Sequence, residues 1–377
     1  MKFNSSMPKD NSNSELKDHQ LFAANQRLWK TLKRENEISK SKAKKARKIS
    51  LVIGSLALFR SLQRPLLRLK IKSTDLNDDA PIFIVGHWRS GTTHLHYLLS
   101  QDDRHMHLGS FQAFTINAAF TTKWFLKPIM KRVMPSTRYQ DDVTIDVDAP
   151  TEDEHALVNM TRMSGMHMFF FPKNNEYFDK FNCFEGITEE ELKEWKSIYA
   201  SLLKQVEVFN KEDKKLVLKN PHSTARIKVL SEMYPNAKFL FIHRNPYEVF
   251  NSTITLYEKA VRSQFLQDFT EEELNELILS CYEKMMSNYL KQRESIRPEQ
   301  LIEVGYDNLI VNPVEELEKI YKHLNLDGFQ TAKPKLEAYL ETLKEYKVNP
   351  ARTIDPAVKE IVKKRWGFAF KEWGYQA

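Results

Sequence analysis

Residues 81 to 93 read Pro-Ile-Phe-Ile-Val-Gly-His-Trp-Arg-Ser-Gly-Thr-Thr, an apolar run that stops at a glycine loop carrying one arginine and three hydroxyls. Gly86 and Gly91 bracket four residues, so the chain can turn tightly enough to aim consecutive N–H groups at one point. Helical spacing from Thr92 adds the positive end of a helix dipole. This is chemistry for holding a phosphate-like anion. A nucleotide-hydrolysing P-loop carries lysine directly after its second glycine, whereas here Thr92 takes that place and Thr93 follows. Arg89 inside the loop supplies the missing cation, because a guanidinium is permanently charged and grips two oxygens at once. The plainer alternative is a strand-turn-helix with Arg89 as a surface charge, but the full G-x4-G-T-T string sits in the strand-to-helix context the motif requires.

A second apolar strand, Lys238 to His243, ends in Arg244-Asn245-Pro246, and Ser252 lies eight positions beyond the arginine. Pro246 suits the first turn of a helix, which places Ser252 about two turns into it. Arginine at a strand end is often only a solvated charge. Two strand ends offering anion ligands are more specific, and together they call for a ligand with two phosphate-like groups. Lys219 closes a third apolar run, Lys215-Leu-Val-Leu, at the kind of strand end where open α/β sheets bind ligands. Groups able to take a proton are Glu152, Asp153, Glu154 and His222. Three consecutive acids after Pro150-Thr151 also read as the solvated first turn of a helix.

The string Gly86 to Thr93, the pair Arg244 and Ser252, the block Pro150-Thr-Glu152-Asp153 and the block Leu218-Lys219-Asn-Pro221-His222 together resemble a known family. It is the sulfotransferase family that uses 3′-phosphoadenosine-5′-phosphosulfate (PAPS), and the resemblance is greatest to its bacterial branch. It is strong from about residue 81 to 255, moderate near Tyr306 and weak toward the C-terminus. It implies that Gly86, His87, Arg89, Ser90, Gly91, Thr92 and Thr93 hold the 5′-phosphosulfate, and that Arg244 and Ser252 hold the 3′-phosphate. It also implies a catalytic set of Arg89, Glu152, Asp153, Lys219 and His222, with Glu152 favoured as base and Asp153 supporting it. Sulfuryl transfer resembles phosphoryl transfer in needing in-line positioning and stabilisation of the leaving oxygen. PAPS as co-substrate brings an activated sulfonate, so no metal is expected, and no Cys/His cluster has metal spacing. The chain departs from the animal cytosolic members in three ways: they carry lysine where Arg89 stands, their histidine base has no obvious counterpart, and their C-terminal glycine-lysine motif is missing. Lys363-Lys364-Arg365-Trp366-Gly367 either replaces that motif or is a basic surface stretch. The rival readings are a P-loop kinase or NTPase and an inactive nucleotide-binding membrane scaffold.

These sites need a scaffold. Strands near 81–86, 215–219, 238–243 and 300–304 alternate with helical stretches near 91–100, 223–234, 246–260, 271–292 and 313–324. The expected class is α/β, a P-loop-like three-layer parallel sheet with helices on both faces, plus an N-terminal basic amphipathic helical extension. The 377 residues, 41% hydrophobic and 28% charged, suffice for one large domain with additions. We divide them into a mobile start at 1–25, the extension at 26–75 and a sulfotransferase domain at 76–377. An insertion at about 105–210 should build the acceptor pocket. Met160, Met163, Met166, Met168 and Phe169-Phe170-Phe171 in that insertion, with Phe120, Trp124 and Phe125 upstream, read by default as core. The sharper reading is a pocket for a small-molecule hydroxyl acceptor such as a sterol or lipid.

Residues 27–72 carry +13 against +7 for the whole chain, so the remainder is net −6. The apolar run Ile49 to Phe59 is too short to span a bilayer. Val52, Leu56, Phe59, Leu62, Leu66 and Leu69 recur at helical steps, Arg60, Arg64, Arg68 and Lys72 form another face, and Pro65 is expected to kink or divide the helix. Either residues 40–72 make a peripheral membrane contact, or the apolar face docks on the domain. Sparse aromatic interleaving argues against nucleic acid. Cys183 and Cys281, far apart in sequence, suit a reducing cytoplasm, with the inner membrane surface as the expected point of contact.

Overall fold

Alternate residues of each central strand point into two different cores, which is why the strands are apolar throughout. In the computed structural model, which describes residues 19–72, 80–134, 137, 146–210, 214–344 and 354–377, five strands form one sheet. They are β1 (Ile82–Val85), β2 (His105–His107), β3 (Lys215–Lys219), β4 (Lys238–His243) and β5 (Leu301–Gly305). The order is β2-β3-β1-β4-β5 and every pairing is parallel. Phe83, Val85, Leu216, Leu218, Phe239 and Phe241 enter one core, and Ile82, Ile84, Val217, Leu240 and Ile242 enter the other. Both faces of a parallel sheet must be covered, and helices cover both here. The chain leaves β1 toward the β3 side and leaves β4 toward β5, so a crevice opens at the carboxyl ends of β1 and β4. Strand β2 had no sequence signal: it is a three-residue edge strand with one apolar residue, held by pairing to β3.

The N-terminal extension is three helices, α1 (Gln26–Glu35), α2 (Ala43–Ser55) and α3 (Ala57–Lys72). Gln20–Ala23, which the sequence places in the mobile start, is a 3-10 turn with Leu21 and Ala23 buried; residues 1–18 lie outside the described residues. The division of the arm falls at Leu56, between α2 and α3, and not at Pro65, which lies inside α3. Polar anchors choose the face by which α3 docks. Gln63 donates to the Ile116 carbonyl at 2.7 Å and accepts from the Phe120 N–H at 2.9 Å. Arg60, expected on the solvated face, is buried and donates to the Ile53 and Phe22 carbonyls at 2.5 and 2.9 Å. Leu62, Leu66 and Leu69 are consequently exposed and do not dock on the body.

After β1 come α4 (Thr92–Leu99), β2 and the insertion: α5 (Ser110–Thr115), α6 (Ala119–Val133), α7 (Glu154–Met160), α8 (Asn175–Cys183) and α9 (Glu189–Asn210). The remaining helices are α10 (Ile227–Met233), α11 (Pro246–Leu256), α12 (Glu271–Arg293), α13 (Tyr306–Val311), α14 (Pro313–His323), α15 (Phe329–Thr342) and α16 (Pro356–Glu372). Pro246 opens α11, and the Asn245 side chain accepts from the Tyr247 N–H at 3.0 Å. Met163, Met166, Met168, Phe170 and Phe171 are buried in the larger core, as the default reading of that stretch has it. The basic stretch near the C-terminus belongs to α16: Arg365 pairs with Glu276 and Glu283, and Trp366 stacks on Tyr282 at 3.8 Å.

Candidate active site

The loop after β1 takes its shape from its glycines. Gly86 has φ +141° and Gly91 φ +100°, both in the region that disfavours a side chain. A Cβ on Gly86 would stand 2.4 Å from the Ile242 carbonyl oxygen, and one on Gly91 would stand 2.3 Å from the Tyr306 ring. The Thr224 hydroxyl accepts from the Gly86 N–H at 2.8 Å, and Gly91 caps α4. Thr92 and Ser90 are buried within the loop. His87 turns inward. Its ring lies edge-on to Trp88 and Tyr282, and burial lowers its pKa to about 4.

Arg89 is a non-glycine residue at φ 70°, a conformation that persists only where the surroundings fix it. Both ends of the residue are fixed by the other loop. Its Nε donates to the Ser252 hydroxyl at 2.8 Å, and its carbonyl accepts from Arg244 at 3.3 Å. Arg244 in turn lies over the Tyr306 ring at 4.4 Å and pairs with Glu248 at 2.6 Å. Arg89, Arg244 and Ser252, brought from the ends of β1 and β4, therefore form one cluster at the crevice. Tyr306 was not picked out from sequence for this place. It serves both loops, fencing Gly91 and supporting Arg244.

Lys219 stands at the end of β3, level with Ile84 of β1. Its ammonium donates to Glu152 at 2.6 Å and to the Thr93 hydroxyl at 3.4 Å, so it links the acid to the start of α4 after the glycine loop. Burial alone would raise the Glu152 carboxyl, but the Lys219 ammonium and His155 outweigh it and hold the group below the usual carboxylate range. The Glu152 side chain keeps 15% of its surface exposed, which leaves it reachable.

The neighbouring acids do other things, and none is the solvated first turn that their run suggests. Asp153 is fully buried and accepts from the Tyr199 hydroxyl at 2.6 Å; burial pushes its carboxyl up to about 7 despite that bond. Glu154 is fully buried between Arg226 at 2.8 Å, Asn220 at 2.8 Å and Ser164 at 2.7 Å. Burial would raise Glu154, yet the Arg226 guanidinium wins and holds it well below the ordinary value. With both oxygens engaged, Glu154 is a buttress for Asn220 and not a base. The signal in the sequence was the acids themselves; their partners, Tyr199 for Asp153 and Arg226 for Glu154, lie far away in the chain.

His222 follows Asn220-Pro221, and its backbone N–H donates to Asn220 Oδ1 at 3.0 Å. Its Nδ1 bonds Asn182 Oδ1 at 2.5 Å, so Nδ1 carries the proton and Nε2 the lone pair. Nε2 has no hydrogen-bond partner among the described residues. Burial lowers the ring to about 4 against the opposing pull of Glu154, so it is neutral at pH 7. Trp88 at 4.7 Å and Phe169 at 6.0 Å wall it in, with Tyr257 next to Phe169.

Gly91→Ala should lower the melting temperature by about 2 °C or more, because the new methyl group displaces Tyr306 and strains the loop. Gly367→Ala, where an added Cβ meets nothing within 4 Å, should not lower it. Differential scanning calorimetry on the three proteins checks this, and equal melting temperatures would contradict it.

Known proteins resemble this chain in sequence and in fold. The model of the Sulfotransferase family matches residues 81–331. The chain is 34% identical over 298 residues to omega-hydroxy-beta-dihydromenaquinone-9 sulfotransferase Stf3 of Mycobacterium bovis, covering 79% of this chain and 76% of that protein, and the Mycobacterium tuberculosis Stf3 matches equally. Sulfotransferase STF1 from Mycobacterium tuberculosis superposes with a TM-score of 0.64 at 18% identity, covering 89% of each chain. STF9 from Mycobacterium avium does so with 0.66 at 14%, covering 94% of this chain and 97% of that one. These two likenesses show the fold. With two-thirds of its length matched by the family and a relative at 34% identity, the chain belongs to the Sulfotransferase family and is an enzyme that transfers sulfuryl groups.

Proposed function

We propose that this enzyme moves a sulfuryl group from PAPS to the hydroxyl of an apolar, lipid-like alcohol. The observation that carries the donor assignment is the convergence of Arg89, Arg244 and Ser252 at one crevice, beside a loop with no room for a Cβ at Gly86 or Gly91. In this reading the N–H groups of the loop with Ser90, Thr92 and Thr93 take the 5′-phosphosulfate, and Arg244 with Ser252 takes the 3′-phosphate. His87 contributes through its backbone. The donor brings a sulfonate already activated by its phosphate anhydride bond.

Glu152 accepts the proton of the acceptor hydroxyl as that oxygen forms its bond to sulfur. Lys219 and Arg89 offset the charge on the phosphate oxygen as its bond to sulfur breaks, releasing adenosine 3′,5′-bisphosphate. Asp153, bonded to Tyr199, supports the start of α7 and takes no proton from substrate. Two observations favour Glu152 over His222: the carboxylate is partly exposed while the imidazole is sealed, and Lys219 couples the carboxylate to the loop. The lone pair on His222 Nε2 keeps it as the second reading.

An apolar alcohol suits the aromatic wall of Trp88, Phe169 and Tyr257 beside this site. The name of the 34% identical relative, a sulfotransferase for a hydroxylated menaquinone, supports the same class. We place the enzyme in the cytoplasm, where its two buried thiols stay reduced.

Incubating the protein with PAPS and a panel of long-chain and isoprenoid alcohols, sterols, phenols and sugars should give products heavier by one SO3 from the apolar alcohols, read by mass spectrometry. Transfer to sugars alone, or magnesium-dependent turnover of ATP in place of PAPS, would contradict the assignment. In the same assay Glu152→Gln should lower kcat by about 10²- to 10⁴-fold with little change in donor KM. His222→Asn should stay within about tenfold of wild type. Because the folded Glu152 pKa is depressed, the base stays ionised until acid pH, and the acid limb of kcat/KM should lie below the ordinary carboxylate range. A limb near neutrality, or a larger kcat loss for His222→Asn, would overturn Glu152 as the base.

A further inference from the structure

Helix α3 is packed the wrong way round for a soluble surface. Its inward side is fixed by Arg60 and Gln63, and its outward side carries Leu58, Leu62, Leu66 and Leu69, exposed by 67%, 51%, 45% and 70%. Steps of four, four and three place these leucines in one row along the helix. The apolar surface continues onto α6. Phe59 of α3 lies 5.2 Å from Phe125 of α6, and Phe125 lies 4.7 Å from Trp124, which is 74% exposed. Trp124 is an indole whose N–H is bonded to the Thr121 carbonyl at 3.2 Å, while the rest of the ring faces out.

The charges carried by α3 and α6 themselves have one sign, and Lys127 of α6 pairs with Asp148 at 2.6 Å. From Ile38 to Lys72 the chain has eleven Lys or Arg and no acid, and from Ala119 to Val133 it has four and no acid. Arg64 and Arg68 flank the leucine row, and Lys131 and Arg132 are exposed on α6. A second copy of the same face would set these cations against each other, whereas a negatively charged lipid surface neutralises them and takes the leucines. No described helix is long and apolar enough to cross a membrane, so the fitting geometry is a helix lying in the interface plane.

We propose that the leucine row of α3, extended by Trp124 of α6, is a docking face for an anionic lipid bilayer. The inference stands apart from the reading of donor and acceptor, because binding to vesicles is read without either.

The test is co-sedimentation of the full chain with phosphatidylglycerol–phosphatidylcholine vesicles and with phosphatidylcholine vesicles alone. Wild type should pellet with the mixed vesicles and stay in solution with phosphatidylcholine. Leu62→Gln/Leu66→Gln/Leu69→Gln should bind about tenfold more weakly or worse, with its melting curve kept because these side chains are exposed. Arg64→Gln/Arg68→Gln should lose about fivefold per cation removed, and it carries the test if the leucine variant does not fold. The proposal is overturned if wild type fails to pellet with anionic vesicles, if it binds both vesicle types equally, or if folded variants pellet like wild type. It is also overturned if wild type fails on vesicles but forms a dimer that the leucine variant abolishes, which would make the face a contact between copies.

Discussion

Arg89 reaches across the crevice at the end of the sheet, donating to Ser252 of α11 while its own carbonyl accepts from Arg244. These two contacts fasten the loop after β1 to the loop after β4, and the rest of the site depends on that fastening. A left-handed arginine is costly on its own, at about 1–3 kcal/mol, and survives because both its ends are bonded. Gly86 and Gly91 let the loop approach β4 and Tyr306 closely enough for the contacts to form. Tyr306, at the end of β5, then supports Arg244 from below. Three strand ends thus meet at one crevice, where the sheet order reverses.

A second constraint lies beneath the first. The buried pair Glu154–Arg226 takes two charges out of water, an arrangement worth little as net stability unless every remaining donor and acceptor is met. Here Asn220, Ser164 and the Phe181 carbonyl meet them. The pair fixes Asn220, Asn220 fixes the turn carrying His222, and the same strand end presents Lys219 to Glu152. A polar network of this kind rigidifies when complete, which suits a reaction governed by alignment. The acids at 152 to 154 consequently have three separate roles set by their surroundings: one is reachable and ionised, one is buried and raised toward neutrality, and one is locked to arginine.

Much of this was legible from sequence, and for identifiable reasons. The central strands were readable because both-faced burial leaves uninterrupted apolar runs, and the turn after β1 because Gly86 and Gly91 mark where the chain must bend. The parallel, three-layer α/β class and the family followed from those strings. Strand β2 was not legible, since an edge strand of His-Met-His owes its form to β3 and not to its own residues. Tyr306, Tyr199, Arg226 and Asn182 were missed because each acts through a contact distant in sequence. The orientation of α3 was missed for a different reason. Hydrophobic periodicity locates an apolar stripe but does not say which side packs, and here Gln63 and Arg60 decided against the leucines. Pro65 likewise did not end its helix, which the turn at Leu56 had already divided.

In the proposed reading one nucleotide is held at both ends, with Arg244 serving its 3′-phosphate. Titration calorimetry of wild type and Arg244→Ala with adenosine 3′,5′-bisphosphate and with adenosine 5′-phosphate tests it most directly, because the second ligand lacks only the group in question. The account predicts that Arg244→Ala loses about ten- to a hundredfold in affinity for the bisphosphate, as befits a charge-assisted bond, and changes little toward the monophosphate. Equal losses on both ligands, or no loss on the bisphosphate, would contradict it.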